Sequence, residues 1–406
     1  MRRSTPRLAG VALVTIAGLV LVGCSSKSPG STSSSSGNAA LSIQPVMQVD
    51  KDGNQVKSES GGTPADPAGD GTAKCDATTT IAMAGALTGA NAALGINIAN
   101  GAKLAIKKHN DANKDCQVQY KGFDTEGDPA KAPAVATQII NDANVIGLIG
   151  PAFSGETKAT GAAFHDAGLL SLTASATNPD LTKNGWNNFF RGLANDAVQG
   201  PSVAGYLVKT AGYKKVCVVQ DDSDYGVGLA EQMTTGLGSA ADSGCALSVK
   251  NGDKDFSAAV TAIKSAAPDA IFYSGYYAEA APLVSQLRDG GVTAVFVSGD
   301  GSNDPEFVKQ AGSAAKDAVL SCPCGPAPEE FEKAYEAEFN VASGVYSVEA
   351  YDLATIVLKA IDGGATTRAD VVDFVKSNSG DGYARHYQWD ETGELASALI
   401  WIYQVK

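Results

Sequence analysis

The sequence predicts an α/β protein of two doubly wound parallel-sheet lobes, and three observations carry that prediction. First, 406 residues are too many for one compact core, so the chain divides. Second, from residue 78 a short β-branched run, a Gly or Asp turn and a helical stretch recur again and again. Third, runs such as VIGLIG are apolar on both faces, as parallel strands are when helices cover each side. With 44% hydrophobic and 18% charged residues, the composition is that of a globular body rather than a disordered or fibrous one.

Taken in order, the predicted strands read TIAMAGAL, CQVQYKGF, VIGLIG, LLSLTAS, KVCVVQD, ALSVKNG, AIFYSG, AVFVSGD and AVLSC. Between them lie GINIANGAKLAIKKHNDA, PAKAPAVATQIINDA, YGVGLAEQMTTGLGSAA, FSAAVTAIKSAA and AEAAPLVSQLRDGG, each with helical spacing of its apolar residues. Right-handed crossovers join such units, and this many strands fit two sheets better than one.

The first segment is an address. Arg2, Arg3 and Arg7 precede an apolar run from Leu8 to Val22, short for a membrane span but suited to a signal peptide over residues 1–23. Its end, Leu21-Val22-Gly23-Cys24, resembles a bacterial lipobox, which implies cleavage before Cys24 and lipidation of that cysteine. Residues 24–74 are rich in Ser and Gly and read as a disordered tether. The body would then be held at the outer face of the bacterial cytoplasmic membrane.

Charge narrows the partners. Lys and Arg total 31 against 44 Asp and Glu, for a net charge of −13. Losing residues 1–23 removes three Arg and no acid, leaving 28 basic residues and a net charge of −16. No basic footprint remains for nucleic acid or anionic lipid, so lipid and tether must do the anchoring. Three His (His109, His165, His386) rule out a His-rich metal site. No metal or cofactor is expected.

Export places the cysteines in an oxidising compartment, and lipidation of Cys24 leaves six. Cys75 precedes TTTIAMAG and Cys116 opens CQVQYKGF, so neighbouring strands would let them bridge. Cys217 and Cys245 repeat that arrangement. Cys322 and Cys324 either pair with each other or stay reduced; a metal reading of Cys-Pro-Cys lacks further soft ligands nearby.

In open α/β sheets ligands sit beyond the carboxyl ends of the strands. After VIGLIG stand Phe153 and Ser154 at a helix start, and after LLSLTA stand Ser175, Ala176 and Thr177. Helix N-termini carry free N–H groups and partial positive charge, so this half offers a carboxylate-sized anion site without Lys or Arg. The second half places Asp221, Asp222 and Tyr225 after KVCVVQ, Tyr276 and Tyr277 after FYSG, and Asp300 after VFVSG. Acidic and aromatic groups suit an ammonium and an apolar body. Taken alone, each residue could be a plain cap, rim aromatic or turn former. Their shared place at strand ends points to a cleft for a free amino acid.

The stretches VIGLIGPAFSGET, SATNPDLT, FFR, DAVQG, DYGVGLA, DKDF, SGYY and SGDG, in that order over residues 78–406, resemble the leucine/isoleucine/valine-binding family. These are the type I periplasmic substrate-binding proteins of ABC importers. The resemblance implies three crossovers between the lobes, near Asn195, Cys322–Pro326 and Trp389. It assigns residues 75–195 plus 326–389 to lobe 1, and 196–325 plus 390–406 to lobe 2. Ser154, Ser175, Ala176 and Thr177 match positions holding the ligand carboxylate and part of the amine. Tyr225 and Tyr276 match aromatic contacts, Asp300 an acidic partner of the α-ammonium, and Phe153 and Tyr346 the border of the ligand side chain. Leu94 stands where the branched-chain binders carry an aromatic residue. A cysteine pair of some relatives falls at Gly127 and Phe153, so that bridge is absent.

The function so implied is capture of a free amino acid, branched-chain or otherwise apolar, by lobe closure and delivery to a permease driven by a separate ATPase, since no P-loop is present. A monomer is expected. An amide, urea-like or aromatic-acid ligand, or a sensory role, stays open. A hydrolase using Ser154 with His165 lacks the G-x-S-x-G elbow, and no enzyme is expected.

Overall fold

A computed structural model describes residues 40–57, 62–396 and 400–406. The signal segment and Cys24 lie outside the described residues. The chain begins with β1 (Ile43–Val49) and β2 (Gln55–Val56). It continues through β3 (Thr80–Gly85), α1 (Ala92–Ala112), β4 (Gln119–Asp124), α2 (Ala132–Asn141) and β5 (Val145–Ile149). Next come α3 (Ser154–Asp166), β6 (Leu170–Thr173) and β7 (Phe189–Arg191). Strands β3 to β7 form an all-parallel sheet in the order β4-β3-β5-β6-β7.

The chain then passes into α4 (Asp196–Gly205), β8 (Val216–Gln220), α5 (Asp224–Leu237), β9 (Leu247–Ser248), α6 (Ser257–Ala266) and β10 (Ala270–Ser274). After these follow α7 (Tyr277–Asp289), β11 (Val295–Ser298), α8 (Pro305–Ala311) and β12 (Val319–Cys322). It returns to the first sheet with α9 (Glu329–Phe339), α10 (Ser347–Asp362), α11 (Arg368–Ser377) and the hairpin of β13 (Ser379–Asp381) and β14 (His386–Gln388). Strand β15 (Ile400–Val405) ends the chain in the second sheet, whose order is β2-β1-β15-β12-β11-β10-β8-β9. Fully buried strands such as β5 and β10 explain the unbroken apolar runs of the sequence.

The tether expectation is corrected from residue 41 onward. β1 pairs antiparallel with β15, Ile43 opposite Val405 and Val49 opposite Ile400, and Val49 is fully buried. Pro45 falls where the register shifts, the kind of place a strand tolerates proline, and it hides the strand from a reading of the sequence. The turn after β1 rests on the end of α4. Gly53, at φ 77°, lies so close to Gly205 that an added Cβ would stand 2.2 Å from its carbonyl carbon. Residues 62–74 instead pack on the five-stranded lobe: Ala65 N–H donates to Asp381 O (2.8 Å), and Asn113 Nδ2 donates to Ala68 O (2.9 Å). A second correction concerns residues 390–396, which stay with the five-stranded lobe. Arg191 N–H donates to Gly393 O (2.9 Å), so the third passage between sheets falls after Leu395 rather than at Trp389.

Bridges join Cys75 to Cys116, Cys217 to Cys245 and Cys322 to Cys324, with Cα separations of 4.6, 5.2 and 4.9 Å. The last lies at the second passage between the sheets. No helix among the described residues is long and apolar enough to cross a membrane.

Candidate ligand cleft between the two sheets

The carboxyl ends of β3, β5 and β6 face those of β8, β10 and β11 across a small cavity, about 10 Å³ in volume, room for about one water. Eight of the ten residues that the resemblance matched to ligand positions line it: Leu94, Phe153, Ser154, Ser175, Tyr225, Tyr276, Asp300 and Tyr346, with Gly301 in addition. Ala176 and Thr177 lie behind this lining. The Ala176 N–H donates to Thr173 Oγ1 (3.0 Å) and its carbonyl accepts from Arg191, so its backbone is already committed. Thr177 is fully buried. Asp221 and Asp222 are committed to backbone N–H groups instead: Asp221 Oδ1 accepts from Ser223 N–H (3.0 Å), and Asp222 Oδ1 from Asn251 N–H (2.8 Å).

Each side of the cavity is built by its local structure. Ser154 opens α3, whose third residue, Glu156, reaches back to accept from the Phe153 N–H (2.8 Å). Burial pushes the Glu156 carboxyl up to about 7, against the pull of the Thr125 hydroxyl and the Phe153 N–H. The Phe153 ring occupies the place left by Gly127, where a Cβ would come within 2.7 Å of it. On the other side Tyr225 lies in the first turn of α5, and Ser223 caps that helix by accepting from Gly226 N–H (2.9 Å). Tyr276 caps α7, and Asp300 follows β11. Tyr346 precedes α10 with φ at 68°, a left-handed conformation that costs a non-glycine residue about 1–2 kcal/mol. That conformation accompanies a hydroxyl aimed at Asp300.

Closure brings these groups together. The rings of Phe153 and Tyr276, from opposite lobes, are 4.7 Å apart, and those of Tyr225 and Tyr276 are 5.1 Å apart. Asp300 Oδ1 accepts from Tyr225 (2.9 Å) and Oδ2 from Tyr346 (2.6 Å). Burial raises the Asp300 carboxyl above its ordinary range, while Tyr346, Gln199 and Tyr225 oppose the rise by hydrogen bonding. At the rim Lys158 Nζ meets Asp224 (2.6 Å), Asn178 Nδ2 donates to Asp224 O (2.7 Å) and Asn97 Nδ2 donates to Asp304 (2.8 Å). All three cross between the sheets.

Sequence reasoning assigned no role to three further residues. Arg191, fully buried, pairs with Glu394 (3.0 Å) and donates to the carbonyls of Ala176 and Asn178, so it holds the loop carrying Thr177. Asp196 is fully buried; burial, then the nearby Asp300, drives its carboxyl well above the usual range, against the pull of the Thr177 hydroxyl. Gln199 donates to Ser321 Oγ (3.1 Å). The signal for them was present in FFR, DAVQG and TGEL, but a motif does not say where its side chains reach. His165 sits about three turns along α3 from Ser154, beside Asn188 Oδ1 (3.1 Å), too far away to act as its base.

Two α/β lobes that close over a polar-ended apolar cavity define a ligand-binding protein of the hinged two-lobe class. The chain belongs to the periplasmic binding protein family, whose model matches residues 78–406. It is 30% identical over 332 residues to the leucine-specific-binding protein of Salmonella typhimurium, covering 80% of this chain and 90% of that one. It is 28% identical over 335 residues to the leucine-, isoleucine-, valine-, threonine- and alanine-binding protein of Pseudomonas aeruginosa, covering 80% and 89%. Among solved structures, the branched-chain amino acid transporter substrate-binding protein of Streptococcus pneumoniae, in complex with isoleucine, superposes with a TM-score of 0.72. That pair is 30% identical, and the match covers 78% of this chain and 93% of that one.

Proposed function

We propose that the protein captures a free amino acid, branched-chain or otherwise apolar, by closing its lobes and delivers it to the permease of an ABC importer. The observation that carries this reading is the convergence of hydroxyls at a helix start from one lobe with aromatic and acidic groups from the other on a single cavity. The ligand carboxylate docks against Ser154, Ser175 and the N-terminus of α3. Tyr225, Tyr276 and Asp300 then close over the amine end, while Leu94, Phe153 and Tyr346 border the side chain. A ligand shifts the lobes only through its differential affinity for the closed form. Contacts drawn from both lobes, with the Lys158–Asp224 and Asn97–Asp304 pairs at the rim, exist only in that form.

In this reading Cys24 carries a lipid on the outer face of the cytoplasmic membrane, and only residues 25–42 separate it from β1. The protein acts as a monomer without catalysis, and a separate ATPase supplies the energy. A thermal-shift screen of residues 25–406 against the twenty amino acids, urea, short amides and aromatic acids tests the proposal. A ligand at 100 times its Kd stabilises the fold by about 2.7 kcal/mol. A shift with Leu, Ile or Val supports the reading. A shift confined to amides or aromatic acids overturns it in favour of a neutral-ended ligand, a second reading favoured by the tyrosine hydroxyls that already satisfy both oxygens of Asp300.

A further inference from the structure

The chain passes between the two sheets three times, and the second passage is built unlike the others. It runs from the end of β12 to the start of α9 as Cys322-Pro323-Cys324-Gly325-Pro326-Ala327-Pro328. Three of these seven residues are prolines, whose rings fix φ, and Cys322 and Cys324 close a disulfide ring around Pro323. In sequence, the first passage, Gly192-Leu193-Ala194-Asn195, and the stretch that follows Leu395, Ala396-Ser397-Ala398-Leu399, hold neither proline nor cysteine.

The bridged end is held from both lobes. Cys322 is paired with Trp401 of β15 in the eight-stranded sheet, and the Cys324 carbonyl accepts from Tyr403 (2.9 Å) on the same strand. The Pro323 carbonyl accepts from Arg385 (2.8 Å), in the turn between β13 and β14 beside the five-stranded lobe. Arg385 is held in turn by the buried Glu349 of α10. Both cysteines are buried. Residues 322–324 therefore form a fixed corner of the eight-stranded lobe on which a guanidinium of the other lobe rests.

Little freedom is left downstream. A residue ahead of proline is confined to extended conformations, which restricts Ala327 before Pro328. Gly325 also precedes a proline, but without a Cβ it keeps the widest choice of backbone angles. An added Cβ there would stand 3.0 Å from the Trp401 indole nitrogen, so a side chain at this position would crowd β15.

We propose that the second passage is a stiff strut with a single joint at Gly325, and that the Cys322–Cys324 bridge strengthens ligand binding by narrowing the range of open arrangements from which the lobes close. A freer hinge spreads the unliganded protein over more open arrangements, and apparent affinity falls with the binding-competent share. The proposal rests on lobe closure over a ligand, as read above, and not on which ligand is bound.

The test uses residues 25–406 as the unaltered protein, as Cys322→Ser with Cys324→Ser, and as Pro326→Ala, a substitution at an exposed position. Amide exchange is followed without ligand at Gly192 and Asp196, whose N–H groups are held at the first passage by the carbonyls of Thr173 (2.9 Å) and Thr177 (2.9 Å). Calorimetry gives Kd for L-leucine, L-isoleucine and L-valine. In the double variant both amides are expected to exchange faster, although both are far from the bridge in sequence. Its Kd is expected to rise on the order of 10-fold, the equivalent of one residue's backbone freedom. Pro326→Ala frees one φ and leaves the bridge intact, and it is expected to act in the same direction by about 3-fold. Exchange at Gly192 and Asp196 that matches the unaltered protein overturns the proposal, as does a Kd that stays level or falls. A lower melting temperature with neither change marks a bridge that is merely structural, and that too overturns it. Should the double variant fail to fold, Pro326→Ala decides by the same two readouts. If none of the three amino acids binds the unaltered protein, the amino-acid reading falls alone, and the exchange rates still decide this one.

Discussion

The two lobes wind alike and end differently. The five-stranded lobe is wholly parallel, and its share of the cavity is neutral: Ser154, Ser175 and the start of α3. Its buried Glu156, in the first turn of α3, is used to fix the Phe153 backbone. The eight-stranded lobe continues its parallel core with antiparallel strands drawn from both ends of the chain, and it brings Asp300, Tyr225 and Tyr276. Neutral donors can wait, ready-formed, at a helix N-terminus, because they cost little when solvated. Charge is more useful when it arrives with closure, since electrostatic attraction strengthens as water leaves.

Two substitutions and a deletion break or sharpen this contrast. Asp300→Asn removes the charge of the eight-stranded lobe and is expected to weaken amino-acid binding by about 2–5 kcal/mol, as truncated buried charge pairs do. An unchanged Kd in calorimetry would remove Asp300 from the site. Deleting residues 41–57 strips β1 and β2 from the same lobe. The lost burial of Val49 and partial burial of Ile43 and Met47 should cost about 2–4 kcal/mol of stability in denaturant unfolding. A midpoint that does not move would show that the pairing with β15 contributes nothing. The smallest effect belongs to Lys158→Ala, which removes a rim pair whose members are 66% and 32% exposed. Such a pair is worth about 0–1 kcal/mol, so affinity should fall by no more than a few-fold at low salt and not at all at high salt. A loss that persists at high salt would mean that Lys158 does more than pair with Asp224.

Much of the fold was legible because its signals are local. The alternation over residues 78–322 needs only neighbouring residues to be read, and the turn after each parallel strand falls at the same end of its sheet. That is why Ser154, Tyr225, Tyr276 and Asp300 could be placed at one cleft before their contacts were known. β1 was illegible because its partner, β15, is at the opposite end of the chain, and a strand with Pro45 in it declares itself only when paired. Leu395 was likewise assigned to the wrong lobe, since its bridge to Trp389 is a matter of tertiary path.

The same division holds within the site. By itself the sequence determined which chemical groups stand at the strand ends, because strand and helix periodicity set each residue's place within its element. Only the tertiary structure decided which groups are satisfied. Asp300 is quenched by Tyr346 from a distant helix start, Arg191 is spent on Glu394, and Asp196 is buried beside Thr177. Burial and hydrogen-bond partners come from segments far apart in the chain, so the state of a carboxylate depends on packing that no local pattern encodes.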